Sequence, residues 1–135
     1  MTKIIYKNSD GTVDIITPVG DVNAAIKDVP SGVSYEIVDD SKIPTDRTFR
    51  NAWVKGSGEV TENLTKSKAL AHEIRREKRA SEFKPHDEII SLNIPGQDTA
   101  AAETARVAIR DKYGTMQTEI DNSPNTDTIK TALGI

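Results

Sequence analysis

Residues 99–120 read Thr99-Ala100-Ala101-Ala102-Glu103-Thr104-Ala105-Arg106-Val107-Ala108-Ile109-Arg110-Asp111-Lys112-Tyr113-Gly114-Thr115-Met116-Gln117-Thr118-Glu119-Ile120. Ala102, Ala105, Ile109, Tyr113, Met116 and Ile120 advance in steps of three and four, which lines them along one face of an α-helix. Asp98 or Thr99 opens this helix, and Asn122-Ser123-Pro124-Asn125 ends it. Gly114 costs roughly 1 kcal/mol of helix propensity relative to alanine, but it lies off the stripe. A stripe this narrow needs a second element to cover it.

The stretch upstream supplies a candidate. Asn63 can cap a helix running to about Phe83, with Ser67, Leu70, Ala71, Ile74, Lys78 and Ser81 as its least charged stripe. Glu73, Arg75, Arg76, Glu77 and Arg79 fall mostly outside that stripe. Two long helices with one narrow apolar stripe each predict an antiparallel hairpin, and alanines at 101, 102, 105 and 108 permit close approach. Pro85 is expected to stop the first helix. That leaves 86–98 as a connection in which Ile89, Ile90, Leu92 and Ile94 anchor a loop or short strand. A short final helix, capped by Thr126 or Asp127, carries Ile129 and Leu133.

The N-terminal part has a different period. Residues 3–7 and 12–17 predict a β-hairpin, with Ile4 and Tyr6 on one face of the first strand and Val13 and Ile15 on one face of the second. Asn8-Ser9-Asp10-Gly11 forms the turn, because Asp-Gly accepts the positive φ that tight hairpins need. Asp21 caps a short helix carrying Val22, Ala25, Ile26 and Val29, and Val33, Tyr35 and Ile37 then alternate with Ser34, Glu36 and Val38 as in a half-buried strand. Gly56-Ser57-Gly58 reads as a flexible joint. The expected fold is therefore α+β: a β-rich module over 1–58 (hairpin, short helix, strand), then a helical region over 59–135 made of an antiparallel hairpin and a short C-terminal helix.

Composition narrows the function. With 36% apolar and only 4% aromatic residues the core is thin and aliphatic, so partner surfaces or further copies of the chain are expected to supply some burial. Twenty-one acidic against 18 basic residues give a net charge of −3, which lacks the broad positive field of non-specific nucleic-acid binding. There is no cysteine, which excludes disulfides, thiolate metal sites and thiol nucleophiles. No apolar run approaches the roughly 20 residues that cross a bilayer. The first seven residues do not read as a signal peptide. A cytoplasmically made protein without a membrane partner is the expectation.

Residues that could carry chemistry are few. His72 and His86 are expected to be solvated surface histidines, since neither has a metal-binding spacing. Glu36, Asp39, Asp40 and Asp46 could gather around a cation, but they lack an EF-hand spacing and read as a solvated loop. No nucleophile elbow or phosphate-binding glycine loop occurs. Enzymatic activity and a cofactor are therefore not expected. In Glu73-Ile74-Arg75-Arg76-Glu77-Lys78-Arg79, acidic residues interleave with the basic ones at pairing distance. Arg75, Arg76 and Arg79 are the contacts of an alternative, a small nucleic-acid-binding regulator. Arg47-Thr48-Phe49-Arg50-Asn51-Ala52-Trp53 concentrates two aromatics and two arginines, the residue types enriched at interface hot spots. Arg47, Phe49, Arg50 and Trp53 are the expected partner-binding residues, although Phe49 and Trp53 could equally plug the fold.

The segments Val29–Asp40 and Ile43-Pro44-Thr45-Asp46-Arg47-Thr48-Phe49-Arg50-Asn51-Ala52-Trp53 resemble a module of small tailed-bacteriophage proteins. Ala71-His72-Glu73-Ile74-Arg75-Arg76 and Ile109-Arg110-Asp111-Lys112-Tyr113 are similar to the helical part of the same proteins, so the likeness covers most of the chain. The Asp-Arg-Thr-Phe-Arg-Asn-Ala-Trp string is its specific element. The resemblance implies a tail-associated structural protein or a tail-fibre assembly protein. Its partners would be other phage structural proteins, or further copies of itself, in the virion tail or in the host cytoplasm during assembly.

Overall fold

A computed structural model describes all 135 residues, Met1–Ile135. The protein is α+β. It divides into two compact units, Met1–Ser67 and Lys68–Ile135.

In the first unit, β1 (Thr2–Lys7), β2 (Val13–Ile16) and β3 (Tyr35–Asp39) form an antiparallel sheet in the order β2-β1-β3. The turn between β1 and β2 is built as its sequence demands. Asp10 Oδ1 accepts from both the backbone N–H and the hydroxyl of Thr12, and Gly11 takes φ +87°. Register places Ile5 between Ile15 and Glu36, and Ile4 between Ile16 and Ile37. The helical turn α1 (Val22–Ala25), capped by Asp21, follows β2.

The phase of β3 differs from the expected one. Tyr35 and Ile37 are 40% and 43% exposed, while Val38 is buried. Pairing of Lys3 with Val38 puts Val38 on the same sheet face as Ile5, and that face carries the core cluster of Ile5, Val13, Val38, Trp53 and Val60. Alternating apolarity of the strand alone does not say which of its two faces meets the core.

Two further strands, β4 (Trp53–Lys55) and β5 (Val60–Glu62), pair as a hairpin. Gly56-Ser57-Gly58 is their turn, closed by Gly56 N–H donating to Glu59 O at 2.9 Å, and it is not a joint between units. The division falls between Ser67 and Lys68 instead. α2 (Leu64–Leu92) starts in the first unit, where Asn63 caps it by accepting from Lys66 N–H.

In the second unit α2 continues through Pro85 to Leu92, so residues 86–92 are helical and not a loop or strand. Pro85 removes the hydrogen bond to Ser81 O. Beyond it, half-buried Ile89 and Ile90 and the ion pair of Asp87 with Arg106, at 3.0 Å, hold the last turns. Asn93, with φ +46°, ends the helix.

α3 (Thr99–Asp121) opens on Asp98, whose carboxylate accepts from Ala101 N–H, and it buries Ala102, Ile109, Tyr113, Met116 and Ile120 of the stripe read from the sequence, with Ala105 half-buried. The contacts His72–Asp121, Glu82–Lys112 and Asp87–Arg106 run in opposite chain directions, so α2 and α3 are antiparallel neighbours. The buried side of α2 also includes Arg75 and Phe83, which lie off the stripe expected for it, whereas Ser81 is exposed. α4 (Thr126–Leu133) buries Ile129 and Leu133 beside α3. Its cap is Asn125, not Thr126 or Asp127; Asn125 Oδ1 accepts from Thr128 N–H.

Candidate functional site

The Asp46–Trp53 string folds into a knot of local bonds. Asp46 Oδ1 accepts from the N–H and the hydroxyl of Thr48 at 2.9 and 2.6 Å. Arg50 N–H donates to Arg47 O and Ala52 N–H to Phe49 O, forming a single helical turn that delivers Trp53 to β4. Arg50 then anchors to the sheet, since its Nη2 donates to Val13 O at 2.9 Å while its guanidinium lies 4.6 Å from the Trp53 ring centroid. Arg47 lies over the same ring at 5.6 Å. Such cation–π contacts add roughly 0.5–2 kcal/mol each, more where the pair is desolvated.

Two of the four expected contact residues are buried in the fold. Phe49 is 1% and Trp53 2% exposed, so neither ring stands out at the surface, and Trp53 only borders a cleft. In a chain with so few aromatics, burial of these two rings contributes more to folding than an exposed ring could. Arg47 and Arg50 remain at the surface, and both line an open cleft of about 560 Å³ beside Trp53. Ile15, Ile43 and Pro44 give the cleft an apolar lining, Lys3 adds a third cation, and Asp40 is its single carboxylate. No histidine lines it. The cleft can hold an extended apolar segment and pair with acidic groups beside it, and within its lining Lys3 Nζ donates to Thr17 Oγ1 at 3.1 Å.

The four acidic residues considered for a cation do not converge. Glu36 bonds Lys55 at 3.2 Å and accepts from Gly58 N–H at 2.6 Å. The Gly58 bond, and after it Lys55, holds the Glu36 carboxyl below its usual range. Asp39 caps the turn after β3 through Ser41 N–H, Asp40 lines the cleft, and Asp46 is engaged with Thr48. No group of three or more His, Asp or Glu side chains is placed to hold a metal ion.

His72 is not a solvated surface histidine. Its Nε2 lies 2.7 Å from Asp121 Oδ1, and its Nδ1 accepts from Arg75 Nε at 3.2 Å. The ring thus stands between a guanidinium on its own helix and a carboxylate at the end of α3. Sequence spacing could not show this, because the aspartate comes from the other helix. Arg75, Arg76 and Arg79 gather on one side of α2, near Arg110 of α3. No helix is long and apolar enough to cross a membrane. A scan of protein-family models finds no match to this chain, and neither do the curated proteins or the solved structures.

Proposed function

We propose that this chain is a bacteriophage tail-associated protein, a structural component or a fibre-assembly adaptor, that acts by binding other proteins and not by catalysis. The observation that carries the reading is the cleft beside Trp53. Arg47 and Arg50 stand over a buried indole next to an apolar lining of Ile15, Ile43 and Pro44. Such a surface suits a partner segment in which an acidic side chain adjoins an aliphatic one. The partner is another structural protein of the particle, and repeated copies around a symmetric tail would reuse the one patch. The resemblance carried by the Asp46–Trp53 string supports the phage setting.

The test uses the phage that encodes the chain. Purified particles and infected cells are probed for it, with the wild-type chain and with Arg47→Glu. Association with a tail or fibre subunit that is lost on charge reversal is expected. Presence in particles marks a virion component, and presence only in infected cells marks an assembly factor. If the chain joins no tail or fibre protein in either sample, or if Arg47→Glu joins it equally well, the proposal fails.

A further inference from the structure

Helical spacing brings two stripes together in the second unit. On α2, Arg75 and Arg79 are one turn apart, with Arg76 beside them. On α3, Arg110, Tyr113, Gly114 and Gln117 share one face. Together they line a groove of about 350 Å³ that contains four guanidinium groups and no carboxylate.

These arginines do not find the internal partners that the interleaved sequence suggests. None of the four makes an ion pair. Glu82 is engaged with Lys112 and Tyr113, and Asp121 with His72, while Glu73 and Glu77 do not line the groove. Like charges gathered in this way repel one another, and the net charge of −3 over the whole chain does not neutralise them locally.

Two of the arginines are also held in place. Arg75 is only 8% exposed, and its Nε is committed to His72, which Asp121 orients in turn. Arg79 lies 4.6 Å from the Phe83 ring centroid. Burial, and after it the charges of Arg76 and Arg79, pulls the Arg75 guanidinium below its ordinary pKa.

Gly114 of α3 also lines the groove. Its φ is not positive, so its backbone does not require glycine. A Cβ there would meet nothing within 4 Å. Mid-helix glycine is unfavourable, and nothing in the free protein explains it. What its missing side chain does is leave the groove open.

We propose that this groove binds a compact polyanion of the phosphate class, a di- or triphosphate group, held by Arg75, Arg76, Arg79 and Arg110. The planar fork of arginine matches the oxygens of such a group, and pre-positioning lowers the ordering cost of binding. A site set into a groove, with one of its arginines nearly buried, favours a discrete group over the exposed track of a nucleic-acid backbone.

The experiment is isothermal titration calorimetry of the full chain with pyrophosphate and with tripolyphosphate, at fixed ionic strength. Saturable 1:1 binding is expected, tighter for tripolyphosphate. Arg76 and Arg110 are exposed, so Arg76→Gln and Arg110→Gln leave the core intact. Each should weaken binding about tenfold, as loss of a charge-assisted hydrogen bond does. Gly114→Glu puts a carboxylate at the groove and should abolish binding in a chain whose circular dichroism is unchanged. Gly114→Ala should raise the melting temperature of the free chain while weakening binding. Absence of saturable binding, or equal binding by Arg76→Gln, Arg110→Gln and Gly114→Glu, overturns the site. A single-stranded thymidine oligonucleotide that binds where tripolyphosphate does not also overturns it, in favour of nucleic acid.

Discussion

Tyr113 Oη of α3 donates a 2.6 Å hydrogen bond to Glu82 Oε1 of α2, and Lys112 Nζ reaches the same oxygen at 2.7 Å. The Lys112 bond, and after it Tyr113, holds the Glu82 carboxyl below its usual range. Burial, and after it Glu82, pushes the Tyr113 hydroxyl up to about 12. The two shifts act at opposite ends of the pH scale. Glu82, with a depressed folded value, stabilises above the ordinary carboxylate range and loses that contribution as pH falls through its folded value. Tyr113, with a raised one, stabilises below 10.0 and loses that contribution as pH rises toward about 12. Urea unfolding across pH should show both losses. Tyr113→Phe is expected to cost roughly 1–3 kcal/mol at neutral pH and to flatten the alkaline loss, leaving a smaller part to Tyr6, whose hydroxyl is also raised.

Within the Asp46–Trp53 string, burial separates folding residues from surface ones. Phe49→Ala removes a ring that is 1% exposed and should cost about 3–5 kcal/mol. Arg47→Ala removes an exposed side chain whose one contact is the Trp53 ring and should cost under about 1 kcal/mol. Denaturation midpoints of the two variants measure the contrast, and comparable losses would contradict it.

Pro85 interrupts a helix that continues past it for two turns. Pro85→Ala restores the N–H to Ser81 O and should stabilise the chain by up to about 3 kcal/mol. Amide hydrogen exchange over 85–92 should slow accordingly. Faster exchange would mean that the proline does not strain the helix.

His72 links two charged groups. His72→Phe leaves Arg75 Nε without its acceptor and Asp121 without its donor. The expected cost is roughly 1–3 kcal/mol. His86→Phe provides the control, since His86 forms no such bridge, and should move the melting temperature little. If the two variants melt alike, the bridge contributes nothing.

Much of this architecture is local and could be read along the chain. The α3 stripe, the Asp10-Gly11 turn, and the Asn63 and Asp21 caps depend on residues within a few positions of one another, and the structure has them where the spacing puts them. The misreadings have another origin. Pro85 carries a real local cost, yet α2 continues past it, where Asp87 pairs with Arg106 and Ile89 and Ile90 are half-buried. Asn125 caps α4 in place of Thr126 or Asp127, because its side chain reaches Thr128 N–H from one residue earlier. The hairpin β4–β5 was missed because its strands are three residues each, too short for a period to show.

The candidate sites divide in the same way. That Arg47, Phe49, Arg50 and Trp53 act as a group was legible from their types and crowding. Which of them face solvent was not, because burial is decided in part by Val13 and Val38, which close on the indole from strands distant in sequence. Three of the four groove arginines are adjacent on α2, while the fourth, Arg110, and the gap at Gly114 come from another helix. By itself the sequence determined the first hairpin, the long helices and the apolar face of α3, since helix and strand periods act over a few residues. Only the tertiary structure decided which charges are left without an internal partner, because Coulomb pairing depends on distance through space and not on distance along the chain.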